Sequence, residues 1–167
     1  MQNKIWLKRR EELSRDTISE FAADHGIPPL IATVLLNRGI TDAEKVNAYL
    51  KKTLDGIHNP YLLPDMQAAV DRILPAIASG EKIVVYGDYD VDGITATALL
   101  VHFLRGVGAN VDYYIPDRKN EGYGINIKAI SQLSKLGTKL MVTVDCGITA
   151  TGEVELAKTM GMDVIVT

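Results

Sequence analysis

Four short apolar runs punctuate the second half of the chain: KIVVYG from Lys82, NVDYYIP from Asn110, KLMVTVD from Lys139 and DVIVT from Asp163. Each is too short for a helix, and β-branched residues dominate. They predict strands over Ile83–Tyr86, Val111–Ile115, Leu140–Val144 and Val164–Val166, apolar on both faces. Between them lie ITATALLVHFLRGVG, INIKAISQLSKLG and TATGEVELAKTMG, each with apolar residues at helical spacing and a glycine stop. Alternating strands and helices predict an α/β domain, a parallel sheet with helices on both faces. Right-handed crossovers then bring the first and third strands side by side or nearly so.

The first sixty residues carry no strand pattern and read as short helices. Asp16 stands before TISEFAADH, in which Ile18, Phe21 and Ala22 recur at helical spacing. IPPLIATVLLNRG has prolines at its start and Gly39 at its end. Thr41 and Glu44 fit a capping box that opens a helix to about Leu50. TLDGIHNPYLLP is loop-like, after which Asp65 is expected to cap a helix through MQAAVDRILPAIASG. Pro75 is expected to bend that helix or end its regular part. The pattern divides the chain into a helical lead-in, 1–63, and an α/β part, 64–167. Residues 4–15, with Lys4, Lys8, Arg9, Arg10 and Arg15 against Glu11 and Glu12, read as a solvated basic helix face.

Composition narrows the class. At 167 residues and 47% hydrophobic, the chain fits one domain, or one domain with a small appendage, and a real core. A net charge of -3 argues against strong, sequence-indifferent DNA binding through overall charge. Ile31–Leu36 and Ile94–Leu104 are too short and interrupted to span a membrane. MQNKIWLKRREELSRD lacks the apolar segment of a secretory signal. The single cysteine, Cys146, excludes an internal disulfide framework and suits a reducing compartment. The expectation is a soluble cytoplasmic protein with no membrane partner.

The acidic residues have a place. In parallel sheets ligands bind beyond the carboxyl ends of the strands. The first strand runs into GDYDVDG, 87–93; the third runs into DCG, 145–147; the second runs into PDRKNEGYG, 116–124. These three loops face one rim. In an extended segment Asp88, Asp90 and Asp92 share a face, about 6.5 to 7 Å apart, and Gly87 and Gly93 give the backbone room to curl. Asp145 joins from another strand. Two carboxylates about 5 Å apart repel by about 3 kcal/mol at an effective dielectric of about 20. Either water screens such a group, or protons are retained, or a divalent cation sits among them. An oxygen-rich cluster suits Mg²⁺ or Mn²⁺. The same residues also serve turns and helix caps; convergence from two strand ends is what favours a site.

Two motifs carry a family resemblance. GDYDVDGITATALL resembles the first motif of the DHH phosphoesterase superfamily, and VTVDCGITA resembles the second. IPDRKNEGYG, NPYLLPDMQAAVDRI and LLNRGI narrow the likeness to the superfamily's single-strand-specific 5′-to-3′ DNA exonucleases, over most of the chain. The resemblance implies that Asp90, Asp92 and Asp145 hold a catalytic metal, usually Mn²⁺, with Asp88 in the same catalytic set. It places Arg118 in an arginine-bearing loop beside the nucleic-acid path, where a guanidinium grips a phosphate by paired hydrogen bonds. Tyr123, in that loop, is a candidate for stacking on a base. The plain alternatives are a solvated turn residue for Arg118 and a loop anchor for Tyr123. Cys146 is expected to be a small buried side chain and His102 a packing residue in a helix; His25, His58 and His102 match none of the family's metal histidines.

The function implied is metal-dependent hydrolysis of phosphodiester bonds in single-stranded DNA during recombination and repair, with a single-strand-binding protein and a helicase as protein partners. The family's Asp-His-His motif is expected just past Thr167, so the chain is read as the amino-terminal part of a longer enzyme, inactive and weakly metal-binding alone. Superfamily members that cleave oligonucleotides, cyclic dinucleotides or pyrophosphate typically have a histidine-bearing first motif, which this chain lacks. A non-catalytic scaffold for replication partners is disfavoured by four intact aspartates. A phospho-accepting receiver domain has its acidic pair before a shorter strand-to-helix turn.

Overall fold

The computed structural model of the chain describes residues 13–51 and 56–167. β1 (Ile83–Tyr86), β2 (Val111–Tyr114), β3 (Leu140–Thr143) and β4 (Asp163–Val166) form one parallel sheet in the order β2-β1-β3-β4. The first and third strands are therefore neighbours. Tyr86 is in register with Tyr114 on one side and Thr143 on the other. β2 and β3 each stop one residue before the sequence pattern does, and β4 starts one residue earlier. Ile115 and Val144 remain apolar and stand where the chain bends out of the strands into the rim loops. β1 and β3 are buried throughout, whereas Asp112 and Tyr113 of edge strand β2 are exposed.

Successive strand residues point to opposite faces, and each face has its own helices. Ile83, Val85 and Val142 pack with Val101 and Leu104 of α5 (Val91–Gly106) and Ala76 of α4 (Met66–Ala78). Val84, Tyr86 and Met141 pack with Ile130 and Leu133 of α6 (Ile127–Lys135) and Ala157 of α7 (Thr151–Thr159). From β1 the chain crosses by α5 to β2, then returns past β1 by α6, on the other face, to β3, and continues by α7 to β4. The direction of travel thus reverses between β1 and β3. Loops leave such a reversal on opposite sides and open a crevice at the strands' carboxyl ends.

Two further contacts fix α4. Arg72 donates from Nε to Asp163 Oδ2 at 2.6 Å and from Nη2 to Glu81 Oε2 at 2.7 Å, tying the helix to the start of β4. Pro75 does not end the helix, which runs on to Ala78. The last turn is held by Ser79, whose N–H and hydroxyl both donate to the Pro75 carbonyl, at 2.9 and 2.8 Å. Asp65 occupies the N-cap position, but at φ 58° its side chain makes no capping bond.

The described residues divide into two compact units between Asn59 and Pro60. In the first, α1 (Arg15–His25), α2 (Pro29–Asn37) and α3 (Ala43–Leu50) appear where periodicity places them. Ser14 caps α1, accepting from Thr17 N at 3.0 Å; one cap differs from the sequence reading, for Asp42, not Thr41, caps α3, accepting from Lys45 N at 2.8 Å. A cap is the last residue with extended backbone, and α3 starts at Ala43, one residue later than a cap at Thr41 requires. Arg38 bonds the Tyr49 hydroxyl and lies against its ring. The basic stretch over 4–12 and the loop over 53–55 lie outside the described residues; within the same loop, Pro60–Leu62 forms a 3₁₀ turn. No helix among the described residues is long and apolar enough to cross a membrane.

Candidate active site

Two of the three rim loops leave the sheet together. Gly87 N donates to Tyr114 O, and Val144 N donates to Tyr86 O, both at 2.9 Å. Asp88 and Asp145 each stand two residues beyond the paired Tyr86 and Thr143, so the exits of β1 and β3 bring them opposite each other at the crevice. Asp88 is 3% exposed, and its Oδ1 has no hydrogen-bond partner. The glycines on either side serve a purpose other than curling the loop, for neither has a positive φ. A Cβ at Gly87 would lie 2.0 Å from Thr97 Oγ1, and one at Gly93 would lie 2.5 Å from the Asp88 carbonyl oxygen. They let the first turns of α5 rest directly on the end of β1.

The extended arrangement of the three aspartates does not occur. Asp90 caps α5, its Oδ1 accepting from Gly93 N at 2.9 Å, and the helix begins at Val91. Asp92 is consequently in the first helical turn, where a negative charge is favoured by the unpaired N–H groups. Capping and site chemistry are compatible in Asp90, because the cap uses one oxygen only. Asp145 has a left-handed backbone, φ 59°, a conformation aspartate tolerates better than most residues. Thr143 Oγ1 donates to Cys146 O at 2.8 Å and closes this turn.

The electrostatics join the two loops. The Asp145 carboxyl is held above its ordinary range, first by burial and then by the charges of Asp90, Asp92 and Asp88. Four carboxylates therefore share one neighbourhood, although among the described residues no three His, Cys, Asp or Glu side chains gather tightly enough to hold a metal ion. The donors fit a hard divalent cation in kind: oxygen ligands only, an orphaned buried Asp88 Oδ1, and a mutual repulsion that a cation relieves.

The third rim loop joins β2 to α6 and is tied firmly to the sheet. Glu121 accepts from the Tyr114 hydroxyl at 2.5 Å, Asp117 N at 2.8 Å and Asn126 Nδ2 at 3.3 Å. These bonds, with that of Tyr114 foremost, hold its carboxyl below the usual range, while burial first and then Glu121 push the Tyr114 hydroxyl up to about 12. Tyr86 donates to Gly124 O at 3.0 Å and stacks on Tyr114 with centroids 5.3 Å apart.

This loop places Arg118 and Tyr123 around a residue the sequence reading missed. The Arg118 guanidinium carbon lies 5.3 Å from the centroid of the Tyr89 ring, and Tyr123 meets the same ring edge-on at 6.5 Å and 80°. Tyr89 stands between Asp88 and Asp90, and an aromatic residue inside an acidic motif was the only available signal. Tyr123 is 69% exposed. Burial first, then the fields of Asp88, Cys146, Asp145 and Asp90, push its hydroxyl above the ordinary value, so it lies within the carboxylates' field. Arg118 makes no ion pair among the described residues.

Two minor expectations part ways. Cys146 is buried, with Sγ 3.7 Å from Tyr86 O, and burial followed by Asp88 and Asp145 pushes the thiol up to about 11. His102 lies on α5 but is exposed rather than packed, because the helix turns Val101 and Leu104 to the sheet instead.

Residues 82–167 match the DHH family, N-terminal domain. The chain is 41% identical over 163 residues to the single-stranded-DNA-specific exonuclease RecJ of Bacillus subtilis, covering 96% of this chain and 21% of that protein. It is 36% identical over 168 residues to the RecJ of Escherichia coli, covering 100% of this chain and 28% of that protein. The chain thus spans a quarter or so of the length of these relatives. Among solved structures, RecJ in complex with Mn²⁺ from Thermus thermophilus superposes with a TM-score of 0.62 at 29% identity, over 92% of this chain and 21% of that one. A second, exonuclease RecJ bound to manganese, gives 0.59 at 41% identity, over 64% and 28%.

Proposed function

Because the chain belongs to the DHH family, we propose that it is the amino-terminal part of a metal-dependent 5′-to-3′ exonuclease acting on single-stranded DNA in recombination and repair. The observation that carries this reading is the convergence of Asp88, Asp90, Asp92 and Asp145 from two strand exits where the sheet reverses direction.

In this reading Asp145, Asp92 and the uncommitted oxygen of Asp90 hold a divalent cation, Mn²⁺ or Mg²⁺, as the names of the related structures suggest. When bound, the cation supplies Lewis-acid stabilisation to the attacking water and the phosphoryl oxygens. Asp88 offers a buried acceptor, Oδ1, that can take a hydrogen bond from within the site. Arg118 donates in parallel to two phosphate oxygens of the strand, and the exposed ring of Tyr123 stacks on a base. Single-stranded DNA is the substrate; a cytoplasmic location and action alongside a single-strand-binding protein and a helicase suit it. Since the chain spans a minor part of its relatives' length, residues 1–167 alone are expected to release no nucleotides.

The test is nucleotide release from labelled single-stranded DNA with millimolar Mn²⁺, using the full-length protein that carries this chain. Asp90→Ala and Asp145→Ala should each abolish release, and duplex DNA should resist. Near-normal turnover by either variant removes that residue from the catalytic set, and robust release by residues 1–167 alone overturns the requirement for the rest of the protein.

A further inference from the structure

Arg118 lies over the face of Tyr89, the residue that stands between Asp88 and Asp90, and forms no ion pair among the described residues. A flexible guanidinium near several anions is ordinarily drawn into a salt bridge, which occupies the donors that would meet a phosphate. The aromatic face attracts the cation through its quadrupole while leaving the in-plane N–H groups free. Tyr89 is itself restrained. Its neighbours Asp88 and Asp90 are fixed, one buried at the end of β1 and the other capping α5, and Tyr123 packs edge-on against its ring. The loop carrying Arg118 is anchored separately, through Glu121 and Tyr86. Two separately anchored loops, after β1 and after β2, thus present a ring and a guanidinium to each other.

We propose that Tyr89 is a positioning residue for substrate binding, its ring face holding the Arg118 guanidinium clear of the carboxylates and ready for a backbone phosphate of the single strand. This rests on the reading of Arg118 as a phosphate contact. The ring acts by its face and not by its hydroxyl, so phenylalanine replaces it and an aliphatic side chain does not. Tyr89 acts through Arg118, so its effect disappears when the arginine is gone.

The experiment is a double-mutant cycle in the full-length protein, reading the affinity for a fluorescein-labelled, 5′-phosphorylated oligothymidylate in EDTA, where no hydrolysis intervenes. Arg118→Ala should weaken binding and lower the slope of log affinity against log salt by about 0.7, the value for one phosphate contact on a single strand. Tyr89→Leu should weaken binding about 5- to 30-fold, Tyr89→Phe should bind like the parent, and Tyr89→Leu in the Arg118→Ala background should add less than about twofold. Cooperative melting of each variant is checked first, with Tyr89→Met substituted if the leucine variant fails to fold. If Arg118→Ala binds and responds to salt like the parent, the phosphate-contact reading falls and the proposal with it. If Arg118→Ala is costly but Tyr89→Leu is neutral, is additive with it, or is matched by Tyr89→Phe, the arginine keeps its role and the proposal alone is overturned.

Discussion

Gly87 and Thr97 approach so closely that a methyl group on Gly87 would sit 2.0 Å from Thr97 Oγ1, and it is this approach that seats α5 on the end of β1. Thr97 is 3% exposed and β-branched, so it cannot swing aside cheaply. Gly87→Ala is therefore expected to destabilise the fold by about 1 to 3 kcal/mol, the usual cost of overpacking. In a Thr97→Ala background most of that cost should vanish, since the remaining neighbours stand at 3.2 Å or beyond. Urea denaturation of the four corners of this cycle measures it; equal costs in both backgrounds would refute the steric account.

At Gly93 the obstacle is the Asp88 carbonyl oxygen, a backbone atom that would lie 2.5 Å from an added methyl group. Gly93→Ala should accordingly cost more than Gly87→Ala, with no single side-chain truncation able to relieve it. The same denaturation series ranks the two.

Asp145→Asn should raise the melting temperature at neutral pH. Asparagine tolerates the left-handed backbone at φ 59°, and the change removes a charge facing Asp90, Asp92 and Asp88. Salt screens exposed charges, so the gain should shrink as sodium chloride is raised toward molar concentration. A melting temperature that is lowered, or a gain that salt leaves intact, would contradict mutual repulsion among these carboxylates.

Glu121 supplies a pH dependence. Its carboxyl is depressed by the bonds from Tyr114 and Asp117 N, so its contribution is fully present above its ordinary value and is lost as pH falls through the depressed one. Glu121→Gln should be less stable than the parent at pH 7, by about 1.5 kcal/mol for lost charged hydrogen bonds. The two proteins should converge as acidification carries the pH below the depressed value. Amide exchange across 115–126 checks the same point locally, and a gap that stays constant between these pH values would rule out the carboxylate as its cause.

Arg72 bonds Asp163 and Glu81 from different nitrogens of one guanidinium. Lysine has one point of charge and cannot span both acceptors. Arg72→Lys should therefore lose nearly as much as Arg72→Met, about 1 kcal/mol at this partly exposed position, as read by thermal melting. Full retention of stability in Arg72→Lys would show that charge alone suffices.

Much of the architecture was legible without coordinates, because hydrophobic periodicity is a local property. KIVVYG, KLMVTVD and DVIVT could bury both faces only inside a helix-covered parallel sheet, and that sheet in turn put Asp88, Asp90, Asp92 and Asp145 at one edge. What the tertiary structure decided depends on distances between residues far apart in the chain. Asp90 is a helix cap and Asp92 a first-turn residue because α5 starts at Val91, which the GDYDVDG string does not mark by itself. Gly87 and Gly93 are required by Thr97 and by a backbone carbonyl, not by a turn. Tyr89 acquires its ring contacts only when the anchored loop after β2 carries Arg118 and Tyr123 to it, some thirty residues along the sequence. A side chain's partner is set by which loops the strand register brings together, and that register is a property of the packed sheet, not of any one segment.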